Sequence, residues 1–540
     1  MSMAWMGARL AVAGLTLGSL VATAPAVSAG AVAGGAAAGG PVASTANGLV
    51  GGMASGGVDE FLGIPYAAPP VGALRWQPPQ PAASWPGVRA ATAFAPHCPQ
   101  AASPFGQAST SENCLFLNVF TPAGGGNHPV MVWIHGGALV TGESDDYSPT
   151  GLVADGVTVV TINYRLGALG FLAHPALADA SGQSGDYGLM DQQAALRWVQ
   201  RNIASFGGNP RDVTVFGESA GGLSTLSQVA SPQARGLFER AIVESGSYNL
   251  TQASLASAQT AGEAFATKAG CASQTGASQT GASQTAACLR SLPVSTILAN
   301  ENAAGYTPNI NSEVLPESLG TAFATGNFNR VEIINGTNRD EWRLFVALSA
   351  LEGNPVTASN YQAMISSTLG VPAAAAAIIA ARYPLIAYPS PSVALGAVGT
   401  DAIFACPALT IDQSVSKFVP TFAYEFNDEN APELFLPPVS FPYGAAHASE
   451  IQYLFSLPTA IFPKALTASQ QQLAATMKGY WTNFATRGFP TSFGTPFWPL
   501  FIPLNQAVES LVPPRPRPEA DFAVVHNCVF WTALEAAATA

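Results

Sequence analysis

The sequence predicts an α/β fold in which a large, mostly parallel central sheet is flanked by helices within a single large domain. Two observations predict it. Apolar, β-branched runs ended by glycine alternate with stretches of helical periodicity through the middle of the chain. The 540 residues are also 48% hydrophobic and only 10% charged, which supplies a sizeable core and argues against global disorder.

The elements follow in order. "PVMVWIHGG" and "VTVVTINYRLG" read as buried parallel strands, apolar throughout and stopped by glycine. "GLMDQQAALRWVQRNIASFGG" then places Leu189, Leu196, Val199, Ile203 and Phe206 at helical spacing before a Gly-Gly stop. "DVTVFGES" is a further strand, and "AGGLSTLSQVA" can start a helix directly after it. "RAIVES", "VEIING" and "TFAYEF" continue the strand series.

The ends carry different signals. Residues 1–29 have one early cation, Arg9, then an apolar stretch from Leu10 to about Val21, then small residues ending in Val27-Ser28-Ala29. That is the layout of a secretory signal peptide with cleavage after Ala29, and the expected location is extracellular. Residues 30–46, rich in Ala and Gly, read as a flexible lead-in, and residues 47–540 as the folded domain. Beyond the leader the longest apolar run, residues 371–381, is too short to span a bilayer, so stable membrane insertion is not expected. The net charge of −12 argues against nucleic acid, because phosphate binding needs clustered Lys and Arg.

Six cysteines, Cys98, Cys114, Cys271, Cys288, Cys406 and Cys528, contain no C-x-x-C pair, so zinc or thioredoxin-like chemistry is not expected. An even count behind a secretory leader reads as disulfides, and the near neighbours 98/114 and 271/288 suggest locally closed loops. Between the latter pair, "ASQTGASQTGASQT" is an internal repeat, read as an expanded surface loop.

"FGESAGG", residues 216–222, contains G-x-S-x-G around Ser219. Three fixed residues are a weak signal in a chain with 53 glycines. The strand before it and the helix after it supply the context the pattern requires. Glycines at 217 and 221 let strand and helix approach closely and push the serine out above the sheet. The Ala220 amide opens the helix, where free N–H groups favour developing negative charge. "IHGGAL", residues 134–139, is an upstream glycine-rich loop at a strand end, suited either to a second set of donors or simply to a tight turn. Downstream of Ser219 only His447 and His526 can serve as a base.

Longer stretches then amount to a resemblance. "FLGIPYAAPPVGALRWQPP", "SENCLFLNVFTP", "VMVWIHGGAL", "TINYRLGALGFLA", "GDYGLMDQQAALRWVQRNIASFGGNPRDVTVFGESAGG" and the closing "NCVFW" resemble the type-B carboxylesterase/lipase family, from about residue 48 to 531. The resemblance implies the α/β-hydrolase fold and a metal-free, cofactor-free serine carboxylesterase. The catalytic residues implied are Ser219, His447 in "HASEIQYLF" and Glu341 in "GTNRDE"; from the residues alone, Asp340 is as good an acid as Glu341. Implied oxyanion donors are Gly137, Ala138 and Ala220. Ser245 in "VESGS" matches a serine that supports the acid; Glu218, beside the nucleophile, could attract cationic substrates or serve as a structural hydrogen-bond partner. The disulfides implied are Cys98–Cys114, Cys271–Cys288 and Cys406–Cys528.

Departures from the family pattern narrow the substrate. Ala138 replaces a third glycine in the donor loop, and Leu139 stands where an aromatic is usual. The loop between Cys98 and Cys114 has one aromatic, Phe105, and no tryptophan for a cation–π contact, so choline esters are not expected. The expected substrate is a small to medium uncharged ester. A lipase or polyester hydrolase would share the chemistry with another pocket, whereas the family's non-catalytic adhesion members typically lose triad residues.

Overall fold

The computed structural model describes residues 40–272, 279–301 and 305–539. The leader read over residues 1–29 lies outside the described residues. An eleven-stranded sheet organises the chain. Its strands, in chain order, are β1 (Met53–Ser55), β2 (Val58–Pro65), β3 (Phe116–Pro122), β4 (His128–Ile134), β5 (Thr158–Ile162), β6 (Gly208–Glu218), β7 (Arg240–Glu244), β8 (Glu332–Asn338), β9 (Thr421–Phe426), β10 (Val508–Leu511) and β11 (Arg517–Glu519). Across the sheet they run β11-β10-β9-β8-β7-β6-β4-β5-β3-β2-β1. The stretch from β10 to β5 is parallel throughout, and both edges finish in antiparallel pairs. Every strand read from the sequence occurs in that parallel stretch.

The central strands are buried on both faces, which explains their unbroken apolar sequence. One face packs α1 (Tyr187–Asn202) and α2 (Ala220–Ala230), with Leu189, Leu196, Val199, Leu223 and Leu226 in the core. The other face packs α3 (Ala468–Arg487), whose Leu473, Met477, Trp481 and Phe484 meet Phe216 and Ile242. Thr467 and Gln470 close a capping box at the start of α3, and Gly488 at φ 73° ends it. A further helical stretch, Pro391–Val415, is long and apolar enough to cross a bilayer by composition, and 78% of its apolar window is buried inside the protein.

Two local expectations are corrected. The tract read as lead-in through Ala46 already contains a strand, Val42–Thr45, antiparallel to Gly48–Gly51, with Ala43 and Thr45 turned inward. Within the repeat, Gln279–Ser291 is a helix rather than loop. Thr285, Ala286 and Leu289 fall on its buried side, so the end of the repeat and the residues after it supply an inward face. All three disulfides pair as the resemblance implied.

Candidate active site

Strand register assembles the site. Ile134 lies opposite Gly217, Glu218 opposite Glu244, and Glu244 opposite Gly336. The loops leaving β4, β6, β7 and β8 therefore emerge side by side at the carboxyl edge of the parallel sheet, where ligands bind in open α/β folds.

Ser219 occupies the turn between β6 and α2. Its φ of 55° and ψ of −121° are strained for a residue with a side chain. The strain is held from both sides. The Ser219 N–H donates to the Glu244 carbonyl at 2.8 Å, and its carbonyl accepts from the Leu223 N–H at 2.8 Å. A Cβ on Gly221 would sit 1.9 Å from the Ile134 carbonyl oxygen, so only glycine allows α2 to lie this close to β4. Ser219 itself is half-buried, and its hydroxyl makes no hydrogen bond among the described residues.

The donor loop follows β4. Gly137, Ala138 and Leu139 have φ of 96°, 54° and 61°. A Cβ on Gly136 would lie 3.1 Å from the Ser219 Cβ, so this loop borders the serine directly. The Gly137 carbonyl accepts from the N–H groups of Val140 and Thr141, both at 3.0 Å. Neither the Gly137 nor the Ala138 N–H donates a hydrogen bond among the described residues. Ala220 opens α2, so its amide belongs to the first turn, which has no intrahelical acceptor. His135 anchors the loop from below. Burial lowers its pKa to about 4, so the ring is neutral; its Nδ1 lies 2.9 Å from the Gly136 carbonyl, which fixes the proton on Nδ1. The ring also stacks on Tyr164 at 4.5 Å.

The alternatives left by the sequence have different surroundings. His447 Nδ1 lies 2.6 Å from Glu341 Oε2. Glu341 Oε1 accepts from Thr337 Oγ1 at 2.7 Å and from the Asn338 N–H at 2.8 Å. Asp340 turns elsewhere, to Arg343 at 2.8 Å and to the Ala445 N–H at 3.0 Å, and so ties the loop carrying His447 to the end of β8. His526 has both ring nitrogens engaged, by Asp401 and Glu425, and is a buried clamp for the C-terminal segment.

His447 Nε2 faces Glu218 Oε1 at 3.1 Å, and neither atom has an aligned hydrogen-bond partner among the described residues. Burial pushes Glu218 up to about 8, with Glu450 and Glu341 adding to the rise and His447 opposing it. Burial alone would lower His447, but the Glu218 and Glu341 carboxylates outweigh it and lift the imidazole to about 9. The two groups titrate as a coupled pair. When Glu218 is protonated, the imidazole loses one of the carboxylate charges that raise it.

Ser245 is corrected. Its φ is 50° and its buried hydroxyl has no hydrogen-bond partner among the described residues, so Thr337 and Asn338 brace the acid instead. Sequence reading passed over Thr337, Glu244 and Glu450. Glu450 follows His447 by three positions in the quoted stretch and accepts from Asn338 Nδ2. Glu244 accepts from Trp481 Nε1 at 2.9 Å. Aromatic rings complete the surroundings: Phe345 and Phe404 lie 5.2 and 5.1 Å from the imidazole.

Comparison with known proteins shows the family. The model of the carboxylesterase family matches residues 39–515. The chain is 35% identical over 492 residues to acylcarnitine hydrolase of Mus musculus, covering 85% of each chain. It is 35% identical over 498 residues to cocaine esterase of Homo sapiens, covering 85% of this chain and 86% of that one. Against para-nitrobenzyl esterase of Bacillus subtilis the figure is 35% over 476 residues, 85% of this chain and 92% of the relative. The central sheet and its helices are those of an α/β-hydrolase. The chain belongs to the carboxylesterase family, and it is a serine carboxylic ester hydrolase.

Proposed function

We propose that this protein is a secreted carboxylesterase that hydrolyses small to medium uncharged esters through Ser219, His447 and Glu341. The observation that carries the reading is the 2.6 Å contact of His447 Nδ1 with Glu341, formed on the same sheet edge as the strained turn that exposes Ser219. Ser219 Oγ attacks the ester carbonyl as His447 Nε2 takes its proton. The oxyanion is received by the N–H groups of Gly137, Ala138 and Ala220. Collapse expels the alcohol, which leaves with the proton from His447. Water, activated by the same imidazole, then attacks the acyl-enzyme and releases the acid. Glu341 keeps the proton on Nδ1 and stabilises the imidazolium throughout.

The aromatic wall of Phe345 and Phe404 supports an apolar acyl or alcohol group. In the loop closed by Cys98–Cys114, the sole aromatic, Phe105, packs 5.9 Å from Phe435, which supports exclusion of a quaternary ammonium. Secretion is supported by the layout of residues 1–29 and by three disulfides with no free cysteine.

The test is hydrolysis of p-nitrophenyl esters from acetyl to palmitoyl by the chain starting at Gly30, with Ser219→Ala alongside. Turnover is expected to peak at short to medium acyl chains and to fall about 10⁴-fold or more in the variant. A palmitoyl optimum that rises on emulsions would make it a lipase. Turnover that survives Ser219→Ala would overturn the reading.

A further inference from the structure

One buried side chain joins the loop closed by Cys98–Cys114 to the donor loop. Gln100 Oε1 accepts from Thr141 Oγ1 at 2.6 Å and from the Gly142 N–H at 2.8 Å. Its Nε2 donates to the Gly142 carbonyl at 3.0 Å, and lies 3.3 Å from both the Cys98 carbonyl and Glu143 Oε2. The amide thus grips both backbone polar groups of Gly142. Gln100 is itself held rigidly, since its N–H and carbonyl exchange hydrogen bonds with Ser109, both at 3.0 Å, two residues from the disulfide. Gly106 leaves the room: a Cβ there would lie 2.4 Å from Gln100 Oε1 and 2.3 Å from Thr141 Oγ1.

The segment so gripped forms the floor under the donor loop. A Cβ on Gly137 would meet the Thr141 carbonyl at 2.1 Å, and one on Gly142 would meet the Gly136 carbonyl at 2.8 Å. Peptide planarity makes this contact consequential. The Gly137 N–H shares a plane with the Gly136 carbonyl, and the Ala138 N–H with the Gly137 carbonyl, each pointing opposite to it. The Gly136 carbonyl is fixed by His135 Nδ1, and the Gly137 carbonyl by the N–H groups of Val140 and Thr141. Whatever holds Thr141 and Gly142 therefore aims the Gly137 and Ala138 donors.

We propose that Gln100 is a positioning residue for the oxyanion donors, setting the direction of the Gly137 and Ala138 N–H groups through Thr141 and Gly142. The proposal rests on the reading of those two amides as oxyanion donors. Gln100 is not assigned any contact with substrate, so its effect should fall on the transition state and spare ground-state binding.

The test uses the mature chain and Gln100→Met, which keeps the side-chain length and removes the hydrogen bonds. Active sites are counted with a p-nitrophenyl phosphonate before each assay, so unfolded protein does not enter the rate constant. For p-nitrophenyl butyrate, kcat per titrated site is expected to fall roughly 10-fold or more with KM within about twofold. The inhibition constant of a trifluoromethyl ketone, whose adduct carries the oxyanion, should rise by the factor by which kcat/KM falls. Gln100→Glu keeps the acceptor used by Thr141 and Gly142 and should retain more of kcat than Gln100→Met. Thr141→Val, which removes one donor to Gln100, should shift kcat and ketone affinity the same way by less, and it carries the test should Gln100→Met fail to fold. A per-site kcat within twofold of wild type, or a lost kcat with unchanged ketone affinity, would overturn the proposal. Wild-type protein that neither titrates nor turns over would instead remove the esterase reading beneath it.

Discussion

The Glu218–His447 contact decides how this site behaves with pH. The Glu218 and Glu341 carboxylates raise the buried His447 imidazole, and a protonated imidazole cannot act as a base. Glu218, itself raised by burial, lies 3.1 Å from Nε2, and its protonation removes one of the charges that raise the imidazole. Replacing Glu218 by Gln copies the protonated carboxyl and removes the charge that raises the imidazole. The acidic limb of kcat/KM should then move to lower pH by on the order of one unit, with activity near pH 8 largely kept. An acidic limb that does not move would contradict the pairing. At Glu341, Gln in place of the carboxylate removes the acceptor that fixes the Nδ1 tautomer, and kcat should fall by roughly 10³- to 10⁴-fold. Glu341 could be named from the family pattern, whereas bare chemistry left Asp340 equal to it. The difference lies in a two-residue turn: Asp340 faces Arg343 and Ala445, Glu341 faces His447, and no local pattern encodes that. Ser245 failed for the same reason, because a hydroxyl one residue beyond a strand can turn toward the acid or away from it.

The strands and helices around the site were legible because burial on both faces writes a continuous apolar run, with glycine near the ends of β4, β6, β7 and β8. The turn at Ser219 depends on that glycine placement. Gly221→Ala would set a methyl 1.9 Å from the Ile134 carbonyl, forcing α2 away from β4. It should abolish turnover or folding, readable as lost esterase activity with a lowered Tm; a fully active variant would show that the close approach is unnecessary. The strand Val42–Thr45 escaped notice because Ala43 and Thr45, its inward residues, carry too little apolar surface to stand out in an Ala/Gly tract. The helix Gln279–Ser291 was hidden by repetition: identical copies suggest loop, and only the third is followed by Ala286, Cys288 and Leu289 to bury. The Cys406–Cys528 bridge spans 122 residues and links the helix Cys406–Val415 to the C-terminal helix. Replacing both cysteines by Ser should cost about 2–5 kcal/mol, measured as a lower denaturant midpoint; an unchanged midpoint would show the link to be dispensable.

Across the whole molecule, many carboxyls are buried and hold their protons unusually high. Burial lifts Asp186 and Glu301 to about 7 and Glu509 to about 8, while His526, despite its burial, is raised to about 10 by Asp401 and Glu425. Each binds its proton more tightly folded than unfolded. Above the unfolded carboxyl value of about 4, the native state therefore holds more protons, and stability falls as pH rises through the folded values. For His526 the contribution is complete below about pH 6.5 and is lost as pH passes about 10. His135, buried neutral with its pKa lowered to about 4, acts oppositely and weakens the fold as pH drops below about 6.5. Because these buried carboxyls outweigh the single neutral His135, Tm should already decline from about pH 5 and keep falling toward pH 10. His526→Gln should lower Tm more at pH 6 than at pH 10. A Tm that climbs from pH 6 to pH 9 would contradict the buried-proton account.

The most direct measurement of the central claim is intact-mass analysis and peptide mapping of the mature chain after reaction with the p-nitrophenyl phosphonate. One adduct per chain is predicted, on the peptide carrying Ser219, appearing in step with the loss of esterase activity and absent from Ser219→Ala. An adduct on another residue, or full turnover by a chain already modified at Ser219, would show that this serine is not where the ester is attacked.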